Sequence, residues 1–330
     1  MPEDTPGAAA VPTPLRLAVI INAGGGSVLA QDPRPALQSA FAEHGIEADI
    51  QMVPGDALED TARALLPRAG AGQHYDAIVA GGGDGSIGAV AGVLASSGVA
   101  FGVLPLGTLN HFAKDLGLPQ DIPGAVAVIA ARQTRSVDVA EVNGRVFVNN
   151  SSIGLYATMV ADRDRQRARS GWGKWPAMAL AGARVLLRYP VRHLTVQTEA
   201  WRKRYRTPLL FIGNNAYEVS LPRPGTRAVL DDGRLCLFVV RHGKPWGLLK
   251  VAVRALAGRL REARDFESHL VRSAEIESHS AWMRVSVDGE VVPMRPPLRY
   301  GIRPGALRVF APAPAAVGGV VTKDRAAHGP

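Results

Sequence analysis

A single cysteine, Cys236, stands in 330 residues, so no intramolecular disulfide and no cysteine-based zinc site can form. That usage suits a reducing compartment. Long apolar runs are missing too: stretches that approach the ~18 residues needed to span a bilayer are broken by Arg, Lys, Gly or Pro. The opening residues, Met1-Pro2-Glu3-Asp4-Thr5, have no basic stretch followed by an apolar one, which argues against a secretory signal. The expectation is a cytoplasmic protein, free or attached peripherally to the inner face of a membrane. No repeat with a period of roughly 20–50 residues is seen, and no G-x-x-x-x-G-K-[ST] phosphate loop occurs. What remains is globular in composition, 47% hydrophobic and 20% charged. At about 100–200 residues per domain, the length suggests two domains. Lys and Arg number 38 against 29 acids, leaving a net charge of +9.

Residues 1–14 and 311–330 are rich in Pro, Ala and Gly without periodicity and read as mobile tails. From 15 to 135, apolar runs at 15–21, 48–53, 76–80 and 100–104 alternate with helix-period stretches starting near Pro35, Asp56, Ile87 and Ile122. Continuous apolar strands separated by helices predict an α/β domain with a parallel sheet covered on both faces. Such sheets bind ligands at the carboxyl ends of their strands. After Arg135 the rhythm changes. Asn143-Gly144 between 136–142 and 145–153 predicts a hairpin closed by a type I′ turn. Strand-like runs follow at 194–200, 208–214, 234–241, 283–290 and 306–312. The expectation is a second, antiparallel β domain over 136–305, then a final strand and tail over 306–330 whose strand suits either domain.

Glycines cluster where ligands bind. Strand 1 ends in Asn22-Ala23-Gly24-Gly25-Gly26-Ser27, strand 3 in Gly81-Gly82-Gly83-Asp84-Gly85-Ser86, and strand 4 runs into Pro105-Leu106-Gly107-Thr108-Leu109-Asn110. Glycine lets backbone N–H groups approach an anion closely, and a following helix N-terminus adds a favourable dipole. Three such loops on one sheet edge suit a polyphosphate better than three coincidental turns. Gly83-x-Gly85-x-x-Gly88 also spells a dinucleotide fingerprint, but it follows the third strand and no acid stands ~20 residues on.

Gly82-Gly83-Asp84-Gly85-Ser86 resembles the GGDGT signature of the diacylglycerol kinase catalytic-domain family, and Leu104–Ala113 resembles its PxGTxNDFA segment. Val137-Asp138-Val139, Asn149–Gly154, Leu230–Leu235 and Val287-Asp288-Gly289-Glu290 fall, in order, where that family has VDV, an N-x-x-S-x-G strand, a DG-L turn and a DGE turn. The resemblance implies a phosphofructokinase- or NAD-kinase-like nucleotide-binding domain followed by a β-sandwich, with the active site between them. It implies ATP phosphates against Gly82, Gly83, Asp84, Gly85, Ser86 and Ile87, helped by Asn22, Gly24, Gly25, Gly26, Ser27, Thr108 and Asn110. The spacing to Gly55 puts Gln51 where the family has a nucleotide-contacting Thr. Glu290 matches the general base, and Asp84 takes a place in the Mg–ATP network. Taken by spacing alone, Glu290 would be a solvated acid after a hairpin turn and Asp84 a helix cap. A Mg²⁺ in the DG-L turn would be held by Asp232 and the carbonyls of Val229 and Arg234. The implied activity is ATP-dependent phosphorylation of a hydroxyl of diacylglycerol, a ceramide-like lipid or a relative. The alternatives are an NAD-kinase-like soluble kinase or a silent nucleotide- or lipid-binding protein. The chain departs from the family at Gly88-Ala89, where Asn-Glu is usual, and at His111, where Asp is usual.

The charge excess has an address. Residues 162–206 hold twelve Lys+Arg against three acids, and the rest of the chain carries 26 of each sign. Trp172, Trp175 and Trp201 lie in the same segment. Basic residues interleaved with Trp suit an anionic membrane surface, the expected partner besides the lipid substrate. A solvated basic face is the plain alternative, and no nucleic-acid-binding motif accompanies the patch.

Overall fold

The computed structural model describes residues 13–24, 32–154, 191–217, 227, 229–240 and 266–313. Residues 1–12 and 314–330 of the tails, Gly25, Gly26, Ser27 and the part of the basic segment from 162 to 190 lie outside the described residues. In the N-terminal part, β1 (Arg16–Asn22), β2 (Glu47–Val53), β3 (Ala77–Gly82) and β4 (Ala100–Pro105) pair in parallel in the order β2-β1-β3-β4. Each was legible as an apolar run. β1 shows why helices cover both faces: its side chains alternate between two buried clusters. Ala18 and Ile20 pack with Leu58, Ala62 and Leu65 of α2 (Leu58–Leu65) and Ile87, Val90, Ala91 and Leu94 of α3 (Asp84–Leu94). Leu17, Val19 and Ile21 pack with Leu37, Ala40 and Phe41 of α1 (Arg34–Glu43). A short α4 (His111–Asp115) and α5 (Ile122–Ala130) follow, with Asp121 accepting from the Gly124 N–H at 2.8 Å as the α5 cap.

The expected hairpin is present. β5 (Thr134–Val142) and β6 (Arg145–Phe147) flank Asn143 and Gly144 at φ 49° and 83°, the two positive values of a type I′ turn. The run expected to continue to 153 breaks at Val148-Asn149, where the chain leaves one sheet, and β7 (Asn150–Gly154) enters another. There it joins β10 (Leu209–Asn214), β11 (Leu235–Val240), β12 (Phe266–Val271), β14 (Met283–Val287) and β15 (Glu290–Met294) in an antiparallel sheet of order β12-β11-β10-β7-β14-β15. β8 (Arg192–Thr198), β9 (Arg202–Thr207) and β13 (Ser273–Glu277) extend the first sheet instead, through β16 (Leu298–Phe310).

β16 answers the question of the final strand. It starts eight residues before the expected Ala306, pairs with β13 over Leu298–Gly301 and with β4 over Arg308–Val309, and pairs with β5 on both sides of a break, over Tyr300–Arg303 and Leu307–Phe310. Its register shifts between Arg303 and Leu307, where Gly305 takes φ 59° and donates its N–H to Asp138 Oδ1 at 2.7 Å. That bulge lets one strand serve both halves. The third core cluster, with Ile153, Leu194, Val196, Ile212, Leu237 and Val285, fills the space between the two sheets.

Candidate active site

The order β2-β1-β3-β4 sends the chain one way from β1 and the other way from β3, so a crevice opens between the carboxyl ends of these neighbours. Asn22 ends β1 there, and Gly81-Gly82 end β3. The Asn22 amide spans the crevice: Nδ2 donates to Ser86 Oγ at 2.7 Å, and Oδ1 accepts from the Gly24 N–H at 2.9 Å. Across β3, the loop after β4 comes so close that a Cβ on Gly107 would stand 2.4 Å from Gly83 Cα. Only glycine fits there. Gly107→Ala should push the two loops apart, costing about 1–3 kcal/mol and raising the KM for nucleotide. A thermal midpoint and nucleotide KM both equal to those of the parent would contradict this packing.

Asp84 begins α3 but caps a different helix. Its Oδ2 accepts from the His111 N–H at 3.1 Å and its Oδ1 from the Phe112 N–H at 3.0 Å, at the start of α4. Oδ1 also accepts from Asn149 Nδ2 at 3.0 Å, which ties the glycine loop to the C-terminal part. Asn110 is buried with φ 50°, and its side chain is spent on its own loop: Oδ1 accepts from the Gly107 N–H, and Nδ2 donates to the Pro105 and Gly107 carbonyls. Ile87 is 3% exposed, in the core beneath α3. For both residues the backbone is what remains for a ligand. Thr108 is exposed on the same loop. Gln51 lies opposite Ile20, two positions before the end of β2, and donates to Asp49 at 3.1 Å.

The C-terminal part contributes a second type I′ turn, Asp288-Gly289, with φ 45° and 86° between β14 and β15. Residues flanking the two turns meet: Arg145 Nη2, next after Asn143-Gly144, donates to Glu290 Oε2 at 2.8 Å. The Glu290 carboxylate also lies against the first turn of α3, where Oε1 would be 2.9 Å from a Cβ on Gly85. Asp288 Oδ2 would be 2.6 Å from a Cβ on Gly88, so the glycine that departs from the family pattern makes room for this acid. Pairing of Glu290 with Arg145 was not anticipated. Its only sequence signal is that both residues follow a two-residue turn.

Although part of Asp288 touches solvent, its carboxyl is enclosed, and burial pushes it up to about 7. The N–H groups of Val148, Asn149 and Asn150, at 2.8, 2.9 and 3.1 Å, pull it down, and the Asp84 charge raises it. Between pH ~4 and ~7 an unfolded chain has released this proton while the folded chain keeps it. The stability contributed by Asp288 is therefore complete below about 4 and is lost as pH rises to about 7. Melting temperatures of Asp288→Asn across that range should fall less with rising pH than those of the parent. Parallel pH profiles would contradict the assignment.

Asn149 connects these groups to a buried cation. Its Oδ1 accepts from Arg227 Nη2 at 2.8 Å, and Arg227 Nη1 donates to the Val148 and Asn214 carbonyls at 2.6 and 3.1 Å. Arg227 Nε donates to Asp115 Oδ2 at 2.7 Å, with side chains 0% and 5% exposed. Nothing in the local sequence marked Arg227 or Asp115.

The DG-L turn places Asp232 beside Arg234. Both oxygens of Asp232 accept from the Arg234 guanidinium at 2.9 Å. Val229 is exposed beside it, and Asp138 accepts from the Gly233 N–H at 2.7 Å to fix the turn. Among the described residues no group of three or more His, Cys, Asp or Glu is placed to hold a metal ion.

Comparison with known proteins agrees with this architecture. Residues 16–142 match the family described as diacylglycerol kinase catalytic domain, and residues 150–311 match the YegS C-terminal NAD kinase beta sandwich-like domain. The protein named "Probable lipid kinase YegS-like" of Pseudomonas aeruginosa is 30% identical over 295 residues, which is 84% of this chain and 89% of that one. The diacylglycerol kinase of Staphylococcus haemolyticus is 29% identical over 72% of this chain and 69% of its own length. The crystal structure of a diacylglycerol kinase from Bacillus anthracis shares the fold with TM-score 0.62 at 18% identity, covering 90% of this chain and 97% of that one. With its glycine-loop crevice, its β-sandwich and relatives matched over most of their length, the chain belongs to the diacylglycerol kinase catalytic-domain family of lipid kinases.

Proposed function

We propose that the enzyme transfers the γ-phosphate of ATP to the hydroxyl of a diacylglycerol, ceramide-like or related lipid at the inner face of a membrane. The observation that carries this reading is the placement of the Glu290 carboxylate against Gly85, in the first turn of the helix that leaves the glycine loop. The Gly82-Gly83 loop, packed so tightly against Gly107 that side chains are excluded, would lay its backbone N–H groups against phosphate oxygens. Glu290 stands where an acceptor hydroxyl would approach the helix N-terminus. Its carboxylate takes the hydroxyl proton as the oxygen attacks the γ-phosphorus; the bond from that phosphorus to the bridging oxygen breaks, and ADP leaves with the electron pair. Arg145 holds Glu290 by Oε2 and leaves Oε1 toward the loop. Mg²⁺, entering with the nucleotide, supplies charge neutralisation on the phosphates. Asp84 positions α4 and Asn149, keeping the phosphate loop and the sandwich in register.

The test is to incubate the enzyme with γ-labelled ATP and Mg²⁺ against diacylglycerol or ceramide in mixed micelles, and against NAD. Labelled lipid with unlabelled NAD is expected. Label on NAD alone would favour a soluble-substrate kinase, and no label on any acceptor would favour a silent binding protein.

A further inference from the structure

The outer face of β8 and β9 carries a charge excess that the phosphoryl-transfer crevice does not use. β9 reads Arg202-Lys203-Arg204-Tyr205-Arg206-Thr207 and is an edge strand, next only to β8 in its sheet. Tyr205 and Thr207 are buried, so the strand alternation turns Arg202, Arg204 and Arg206 to the opposite, exposed side. On β8, His193 pairs in register with Arg206 and Thr195 with Arg204. The adjoining β13 brings two acids, and both are taken: Glu277 by Arg202 at 2.9 Å and Glu275 by Arg299 at 2.9 Å. Among the described residues, no carboxylate is paired with Arg204 or Arg206. With His193 and His279 they line an open groove of about 710 Å³.

Two guanidinium groups on alternate residues of a strand stand roughly 7 Å apart. Each presents a fork of donors suited to phosphate oxygens. The surroundings favour a lipid headgroup over a free phosphate. The groove lies open along a sheet face. The connection that brings His279 to it also exposes Trp282, three residues on, at 54% of its surface, with the Arg295 guanidinium 4.5 Å from its ring centroid. An exposed indole stacked with a cation, on the connection that also supplies His279 to the groove, has the amphipathic make-up of an interfacial anchor. We propose that the outward face of β8 and β9, with Arg204 and Arg206 as its free cations, docks the enzyme on the phosphate headgroups of an anionic lipid surface. The reading does not depend on which lipid is phosphorylated.

Co-sedimentation of the full chain with vesicles tests it. One set is phosphatidylcholine alone, and the other contains roughly one third phosphatidylglycerol. The parent should partition onto the anionic set and release as salt rises. The double variant Arg204→Gln/Arg206→Gln should lose roughly 30-fold in partition, from about 1 kcal/mol per cation near the surface. Its melting temperature should match the parent. Arg204→Lys/Arg206→Lys should recover much of the binding, and Trp282→Ala should weaken it. Parental partition by the double glutamine variant, or equal binding of the parent to neutral vesicles, would overturn the proposal. So would a double variant that keeps vesicle binding but loses affinity for inorganic phosphate or duplex DNA, since the groove would then be a small-anion or nucleic-acid site.

Discussion

Methionine in place of Arg227 is expected to cost about 3–5 kcal/mol of folding stability, because it leaves Asp115 buried without its counter-ion. The pair is almost wholly inaccessible, at 0% and 5% side-chain exposure, and the guanidinium also serves the Val148 and Asn214 carbonyls and Asn149 Oδ1. Losing the cation strips donors from three acceptors as well as from one carboxylate, and unsatisfied buried acceptors are costly in themselves. The damage should reach the crevice, since Asn149 holds Asp84 on its other side. Arg227→Lys should recover little, because an ammonium cannot reproduce the fork. The double variant Arg227→Met/Asp115→Leu should be markedly more stable than Arg227→Met alone, as removal of both charges removes the uncompensated one. Denaturant unfolding of the parent, Arg227→Met, Asp115→Leu and the double variant measures this as a cycle. A single variant within 1 kcal/mol of the parent would mean that the pair behaves as an exposed one.

The second large effect is catalytic. Glu290→Gln should lower kcat by about 10²–10⁴, the range for losing a positioned general base. It should leave nucleotide affinity near the parental value, since among the described residues Glu290 hydrogen-bonds to Arg145 and not to a phosphate loop. Arg145→Met should also lower kcat, by less, as a positioning residue acting through Glu290, and Arg145→Lys should recover part of the loss. An equal fall in nucleotide affinity and kcat for Glu290→Gln would place that acid in nucleotide binding instead.

Much of the N-terminal half was legible in the sequence because strands buried on both faces must be apolar throughout, as β1, β3 and β4 are. Helix α3 was expected to start at Ile87 but starts at Asp84, since the glycine-rich first turn hides helix propensity. β9 was missed for the opposite reason: its outward residues are all charged, and only Tyr205 and Thr207 mark the buried face. Arg303-Pro304-Gly305 reads as a strand breaker, yet β16 runs through it because Asp138 accepts the Gly305 N–H at the bulge. In the site, the glycine loops were read from local pattern, and the DGE turn only from its resemblance to the family's. The network of Asp84, Asn149, Arg227 and Asp115 was not, because its members are brought together only by tertiary folding. The Asp232–Arg234 pair was visible as nearby charges, but its bidentate closure depends on side-chain geometry.

The central claim, that Glu290 receives the proton of a lipid hydroxyl during transfer from ATP, is tested most directly by single-turnover transfer of labelled γ-phosphate to diacylglycerol in micelles. The parent and Glu290→Gln are compared with ATP binding measured in parallel. Fast labelling by the parent, labelling slowed by about 10²-fold or more in the variant, and equal ATP affinity are the predicted result. A variant that labels lipid at the parental rate would contradict it.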